Sequence, residues 1–426
     1  MSENVAHATD AHGTLKAREL ALLYLPLFTV ALGYGAVLPI LPSLLERLHG
    51  PGSDAAMPLH AGLLTGIYIG AFVIGAPLWG KVTDLRGPRI VMLVGLLGYA
   101  AATAWFGFAT SLAAAYVTRF VAGAFAAGLL PATAAFIVAR CGDTERARHL
   151  GWMSAASVMG FFVGPALSGW MHDFLTGPQP GWATALHVTA VPIWMTGVIA
   201  LASAFGVAWG VGSHRVPGPS AEARAQAGAR RPPVAPRSIL LLSALGAFGI
   251  GALEVGLALQ SQQSWRWSPS ALGWLFAVCS LVMFVIQFAV FAPLRRRVRP
   301  ATLVVGCFAV MAAGFALLAG TSVYGVVMGL VALIALGSGV LLPTLSVATA
   351  DQAGAVVGTA IGYQNAAGNL GQAVGSAAVG LLFSAWPVIS FGIVALVMFA
   401  TALAGWRIAR VRGALLSGAL MRDVKI

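Results

Sequence analysis

Two charged side chains stand where charge is costly. Glu254, in the stretch GIGALEVGLALQ, is the only acid well inside an apolar span. Counted from Ser238, it lies about 24 Å along a helix of roughly 38 Å. A carboxyl placed there can trade a proton as its surroundings change between wet and dry, or as a cation approaches and leaves. It can equally be a structural acid held by a cationic partner. Arg119, in YVTRFVAGAFAAG, is the corresponding base, and an arginine at membrane depth is functional by default. The bland alternative is snorkelling, since Arg119 is only about 10 Å from the start of its helix. A pair formed by these two in one state and parted in another would tie a proton to each switch.

Uncharged polar residues form a second set. Asn365 and Asn369 are four apart, and Gln372 falls near them on a helical wheel, with Gln364 alongside. They either line a substrate cavity or bond across to a neighbouring helix. Gln260, Gln262 and Gln263 stand beside Trp265 and Trp267, an interfacial arrangement. Cys141, Cys279 and Cys307 are scattered, so neither a metal site nor a disulfide framework is expected. Gly75–Val82 approaches a phosphate-binding loop, but Val82 stands where the Mg²⁺-binding hydroxyl belongs, and no strand precedes it. Gly249 and Gly251 lack a third glycine at the dinucleotide spacing. No cofactor and no enzyme activity are expected.

The elements that must position these residues are membrane helices. The 426 residues are 59% hydrophobic and 9% charged, against about 25% charged in soluble chains. Runs such as 301–350 and 352–406 carry no Lys, Arg, Asp or Glu, and each is long enough for two crossings of roughly 20 residues. The same rule predicts twelve spans, at 21–45, 61–80, 90–110, 112–139, 150–172, 183–211, 238–263, 269–294, 301–320, 322–349, 354–384 and 387–409. With the N-terminus inside, only Arg47 and Arg266 fall outside, so both termini are placed in the cytoplasm. The net charge of +12 is then a topology signal, and no nucleic-acid partner is expected. Residues 1–15 lack the basic and apolar regions of a cleaved signal.

Small residues organise the fifth span, GWMSAASVMGFFVGPALSG. Ser157, Gly160, Gly164 and Ser168 make one stripe, and Gly151 and Gly169 share the opposite side. Two small faces let one helix pack closely against neighbours on both sides, and Pro165 bends it. The spacing of Gly151, Gly160, Gly164, Pro165 and Gly169 resembles the antiporter signature, motif C, of drug:proton antiporters in the major facilitator superfamily. Ser168 departs from that signature, where a glycine is usual. Between the second and third spans, Gly80, Asp84, Gly87 and Arg89 resemble the superfamily's motif A, with its first basic residue displaced to Arg86 and Pro88 replacing another. Asp84 can meet a helix N-terminus or an arginine, holding one state closed; otherwise the segment is a solvated basic loop. Arg119 with Gly123 resembles motif B. Antiporters of this kind often carry an acid in the first span, and here that span has none before Glu46.

Residues 213–237, rich in Pro, Ala and Arg, read as a cytoplasmic linker between residues 1–212 and 238–426, six helices each. The two parts echo one another. Gly151, Gly160, Gly164 and Gly169 recur as Gly362, Gly371, Gly375 and Gly380, and Leu129-Leu130-Pro131 recurs as Leu341-Leu342-Pro343. The expectation is an all-α membrane protein with the major facilitator fold, two pseudo-symmetric six-helix bundles. The resemblance implies a monomer in the cytoplasmic membrane that exports small amphipathic or drug-like compounds by alternating access, driven by protons. Import of a nutrient, or ligand binding without transport, are the alternatives.

Overall fold

The computed structural model describes residues 17–49, 56–141, 143–176, 185–211, 237–353 and 357–422. Among them there is no strand. The helices are α1 (Ala17–His49), α2 (Met57–Arg86), α3 (Pro88–Gly107), α4 (Leu112–Ala126), α5 (Leu129–Arg140), α6 (Asp143–Thr176) and α7 (Ala185–Gly210). They continue as α8 (Arg237–Leu259), α9 (Pro269–Val285), α10 (Phe291–Arg297), α11 (Pro300–Leu318), α12 (Tyr324–Ala353), α13 (Val357–Ala385) and α14 (Ser390–Arg422). The linker expected at 213–237 lies outside the described residues except for Arg237, which opens α8.

Lipid forces this choice of element, because a backbone with no water must satisfy its own polar groups. Hydroxyls follow the same rule: Thr29, Thr65, Thr118 and Thr344 each donate to the carbonyl four residues back. Starts carry ordinary helix signals, with Pro88 and Pro300 in first turns and the Ser111 hydroxyl accepting from the Ala114 amide at 3.2 Å. Ile74, Leu85, Trp209 and Leu396 are exposed, as suits lipid-facing side chains.

Eleven helices among the described residues are long and apolar enough to span a membrane. The twelfth expected span lies within α6, which extends to 34 residues against the 150–172 predicted. Its glycines and serines dilute its hydropathy. The expected fourth span is one run of α4 and α5 with a turn at Ala127–Gly128 between them, and the last runs on to Arg422, past the predicted 409.

The chain forms two compact units. The first holds α1, α3 to α7, α2 from Ile67 onward, and the start of α9 to Ala277. Its core includes Leu23, Leu27, Val91, Met92, Leu96, Phe136 and Ile137. The second holds α8, the rest of α9, α10 to α14, and Pro58–Gly66 of α2. Its buried side chains include Leu257, Phe308, Met311, Phe315, Ile334 and Phe391.

Candidate functional site

In the first unit the site is built on α4. Gly123 lies against α2 so closely that a Cβ there would strike the Tyr68 carbonyl oxygen. That approach brings the Tyr68 ring beneath Arg119, whose guanidinium carbon is 4.2 Å from the ring centroid and 5.5 Å from that of Phe106. Tyr34 stacks on Tyr68 at 5.5 Å and on Phe161 at 5.8 Å. Arg119 is 4% exposed, so its side chain stays inside rather than snorkelling. Aromatic faces stabilise a desolvated cation, yet its Nε has no hydrogen-bond partner. A buried cation with an unused donor is prepared to meet an anionic or accepting group.

In the second unit the site is built on α8 and α13. Gly371 and Gly375 lie on the Ala244 and Phe248 carbonyls, and Gly251 lies on the Gln372 carbonyl. Only glycine allows this approach. Glu254 is 6% exposed and is the one buried carboxylate among the described residues. Its Oε2 accepts from Gln372 Nε2 at 3.0 Å. Two groups singled out separately in the sequence, 118 residues apart, thus form one bonded pair. A π-helical turn, Gln260–Ser264, closes α8 beyond Glu254. Such turns often mark functional sites. Of the other polar candidates, Asn365 is exposed and Asn369 half-buried on α13, while Gln364 donates to the Ser346 hydroxyl at 3.2 Å. Arg119 and Glu254 belong to different units.

The residues of the expected gate divide sharply. Gly87, at φ 89°, ends α2 and begins α3, a left-handed position that glycine tolerates. Gly80 has open space around its Cα. Arg89 donates to the Ala208 carbonyl in the last turn of α7, a favourable place for a cation. Asp84 and Arg86 are exposed. Asp84 occupies the last turn of its own helix, where the macrodipole disfavours an acid. It therefore gains from any partner offering a helix N-terminus or a guanidinium.

The small faces of α6 have distinct neighbours. A Cβ on Gly160 or Gly164 would strike the carbonyls of Phe28 and Leu32 on α1, and Pro165 lies against Gly35. Gly169 instead lies on the Pro269 carbonyl at the start of α9, and Gly151 meets nothing. Nearby, the Asp173 carboxylate accepts from the Ser270 amide at 3.3 Å. An apolar groove of about 310 Å³ also runs between α2 and α4, lined by Ile74, Leu78, Trp79, Val82 and Phe120.

Sequence reasoning missed the aromatic floor under Arg119. Tyrosine in an apolar run looks like any core residue, and only Gly123 hinted that α4 had a close neighbour.

Comparison with known proteins agrees with this architecture. The family model of the Major Facilitator Superfamily matches residues 23–264 and 239–419. Multidrug resistance protein 2 of Bacillus subtilis (strain 168) is 25% identical over 362 residues, 84% of this chain and 86% of that protein. A bacterial homologue of the human lysosomal transporter Spinster, in its inward-facing, occupied conformation, superposes with a TM-score of 0.71 at 15% identity, over 93% of this chain and 98% of its own. A D-xylose–proton symporter superposes with a TM-score of 0.70 at 12% identity, over 91% and 97%.

Proposed function

We propose, from the premise that this chain belongs to the major facilitator superfamily and is a multi-pass membrane transporter, that it exports small amphipathic compounds in exchange for protons. The observation that carries this reading is the buried Glu254–Gln372 pair. A carboxyl inside a span, hydrogen-bonded by an amide donor, can bind and release a proton as solvent reaches or leaves it. The name of the Bacillus relative, a multidrug resistance protein, supports export over import. Arg119 on its aromatic floor supplies the opposing charge.

In this reading Asp84, with Gly80, Arg86, Gly87 and Arg89, forms a gate on the cytoplasmic side. Gly151, Gly160, Gly164, Pro165 and Gly169 keep α6 close to its neighbours, and Asn365, Asn369 and Gln372 contribute to the substrate cavity. The working unit is a single chain in the cytoplasmic membrane, with both termini inside and residues 213–237 linking two six-helix parts. One site alternates in access between the two sides.

Inverted vesicles containing the chain test the proposal. With an acid lumen, fluorescent amphipathic dyes should accumulate inside, and collapse of the proton gradient should release them. Loss of dye from a preloaded lumen under the same gradient would indicate symport instead. Gradient-independent binding without accumulation would indicate a receptor.

A further inference from the structure

We propose that Cys141, Glu145 and His149 form a binding site for a divalent cation of the zinc type, at the junction of α5 and α6. Nothing in proton-coupled export requires such a site. The spacing of the three cysteines gives no metal pattern, and the fold brings a mixed donor set together instead. Its order, Cys-x₃-Glu-x₃-His, lies outside the usual cysteine-pair patterns.

The geometry follows from the chain turn. α5 ends at Arg140, and extended Cys141 (φ −111°, ψ 139°) closes it with its amide on the Ile137 carbonyl at 2.9 Å. α6 begins at Asp143, so Glu145 and His149, four apart, share the face nearest that turn. One ligand atom from each of the three lies within 4.8 Å of the others. Cys141 is 2% and His149 4% exposed, and Glu145 is half-buried. The site is shielded at two corners and reachable at the third.

A second observation points to a ligand site. The Tyr24 hydroxyl on α1 lies 2.7 Å from His149 Nδ1, within hydrogen-bond distance. Metal-binding imidazoles are oriented by such a bond to one ring nitrogen, and here the ring is fixed from a different helix. Thiolate, imidazole and carboxylate together suit zinc, with three protein ligands and water in the fourth position. Mg²⁺ and Ca²⁺ prefer all-oxygen sites. Among the described side chains, two basic neighbours oppose the cation. Arg148 is 3.7 Å from Glu145 in an exposed pair, and Arg140 lies over Phe136. A thiolate and a carboxylate together offset two positive charges, so the donor set itself neutralises a divalent cation. Such an ion would bridge α5 to α6 beside a histidine already tied to α1.

Cobalt(II) titration of the full-length, untagged chain in detergent, after chelator treatment, tests the site. The expected result is one equivalent bound, with a thiolate-to-cobalt charge-transfer band that zinc bleaches. Cys141→Ser should abolish the band, while joint substitution of Cys279 and Cys307 by serine should leave it. Tyr24→Phe should weaken binding by about tenfold with the band intact, as for other orienting partners. If Cys141→Ser does not fold, His149→Asn must weaken binding at least as much as Tyr24→Phe. Absence of the band from the wild-type chain, its persistence in folded Cys141→Ser, or unchanged affinity in His149→Asn would overturn the proposal.

Discussion

α6 and α13 carry the same glycines at an offset of 211 residues, and the glycines that pack closely lie on corresponding backbone carbonyls. Gly160 and Gly164 lie on the carbonyls of Phe28 and Leu32; Gly371 and Gly375 lie on those of Ala244 and Phe248. Gly169 lies on Pro269, and Gly380 lies on Pro58, the residue 211 earlier. Gly273 lies on the Pro165 carbonyl, and Gly62 lies on that of Ser376. Even the open positions agree, since neither Gly151 nor Gly362 meets anything within 4 Å. The chemistry does not repeat. Where α13 has Gln372 bonded to Glu254, α6 has Phe161 against Tyr34. Close backbone approach admits one solution, glycine, so duplicated geometry keeps it. Polar side chains lie beside that seam without forming it, so each half could acquire its own.

The largest expected effect tests the shared part. Gly164→Leu and Gly375→Leu should each abolish transport and lower stability by about 1–3 kcal/mol or more, because backbone cannot yield as a side chain can. Gly151→Leu and Gly362→Leu should change stability by less than about 0.5 kcal/mol. Thermal melts and dye accumulation on the four variants measure both. Loss at Gly164 with full tolerance at Gly375 would break the equivalence of the two seams.

The next effect tests the part that differs. Glu254→Gln should eliminate gradient-driven accumulation while preserving dye binding and downhill exchange, because an amide mimics the protonated acid. Gln372→Leu should retain accumulation at a reduced rate, as Glu254 loses the Gln372 hydrogen bond, worth about 1.5–3 kcal/mol to a charged acceptor. Phe161→Leu, the matching change in α6, should leave the proton requirement intact. Proton release on dye addition is the readout. If Glu254→Gln released protons like the wild type, coupling would reside elsewhere.

Much of this was visible in the residues, for identifiable reasons. Lipid demands apolar runs of fixed length, so nearly every span could be placed, and close packing demands glycine, so the repeat showed itself. The N-terminal end of α6 was not legible. Residues 143–149 are polar, and nothing in DTERARHL says that the helix of the next span continues through it. That missed turn is what brings His149 and Glu145 back to Cys141. The Glu254–Gln372 bond was also hidden, since periodicity orders residues within a helix and cannot say which faces meet. The same limit concealed Tyr68 beneath Arg119.

Asp84 gives a smaller effect. Asp84→Asn should slow transport several-fold while leaving dye affinity nearly unchanged, because an exposed residue at a helix end alters switching rather than binding. Its counterpart segment in the second unit, α10, carries Arg295, Arg296 and Arg297 but no acid. There Arg295 reaches Asp351 of α12 at 3.2 Å in an exposed pair. Arg295→Gln should therefore have little effect on rate. Equal slowing by both variants would mean that the two segments act alike despite their different charges.

The smallest expected effect lies at the far ends of the two glycine helices. Beyond Gly169, the Asp173 carboxylate accepts from the Ser270 amide in the first turn of α9, where the helix dipole favours an anion. Beyond Gly380, the equivalent residue is Ser384, and its hydroxyl donates to its own helix at Leu381, 2.8 Å away. The α6–α9 seam therefore has a charged clasp that the α13–α2 seam lacks. Asp173 remains partly exposed, so the clasp contributes only about 1 kcal/mol. Asp173→Asn should lower the melting temperature slightly and speed hydrogen exchange at the first amides of α9. Ser384→Ala should change neither. Asparagine still offers an oxygen to Ser270, so Asp173→Ala should have the larger effect, and the difference between the two variants isolates the charge from the hydrogen bond. Were Asp173→Asn to behave like the wild type while Asp173→Ala did not, the dipole would be contributing little, and the two seams would differ only by one neutral bond.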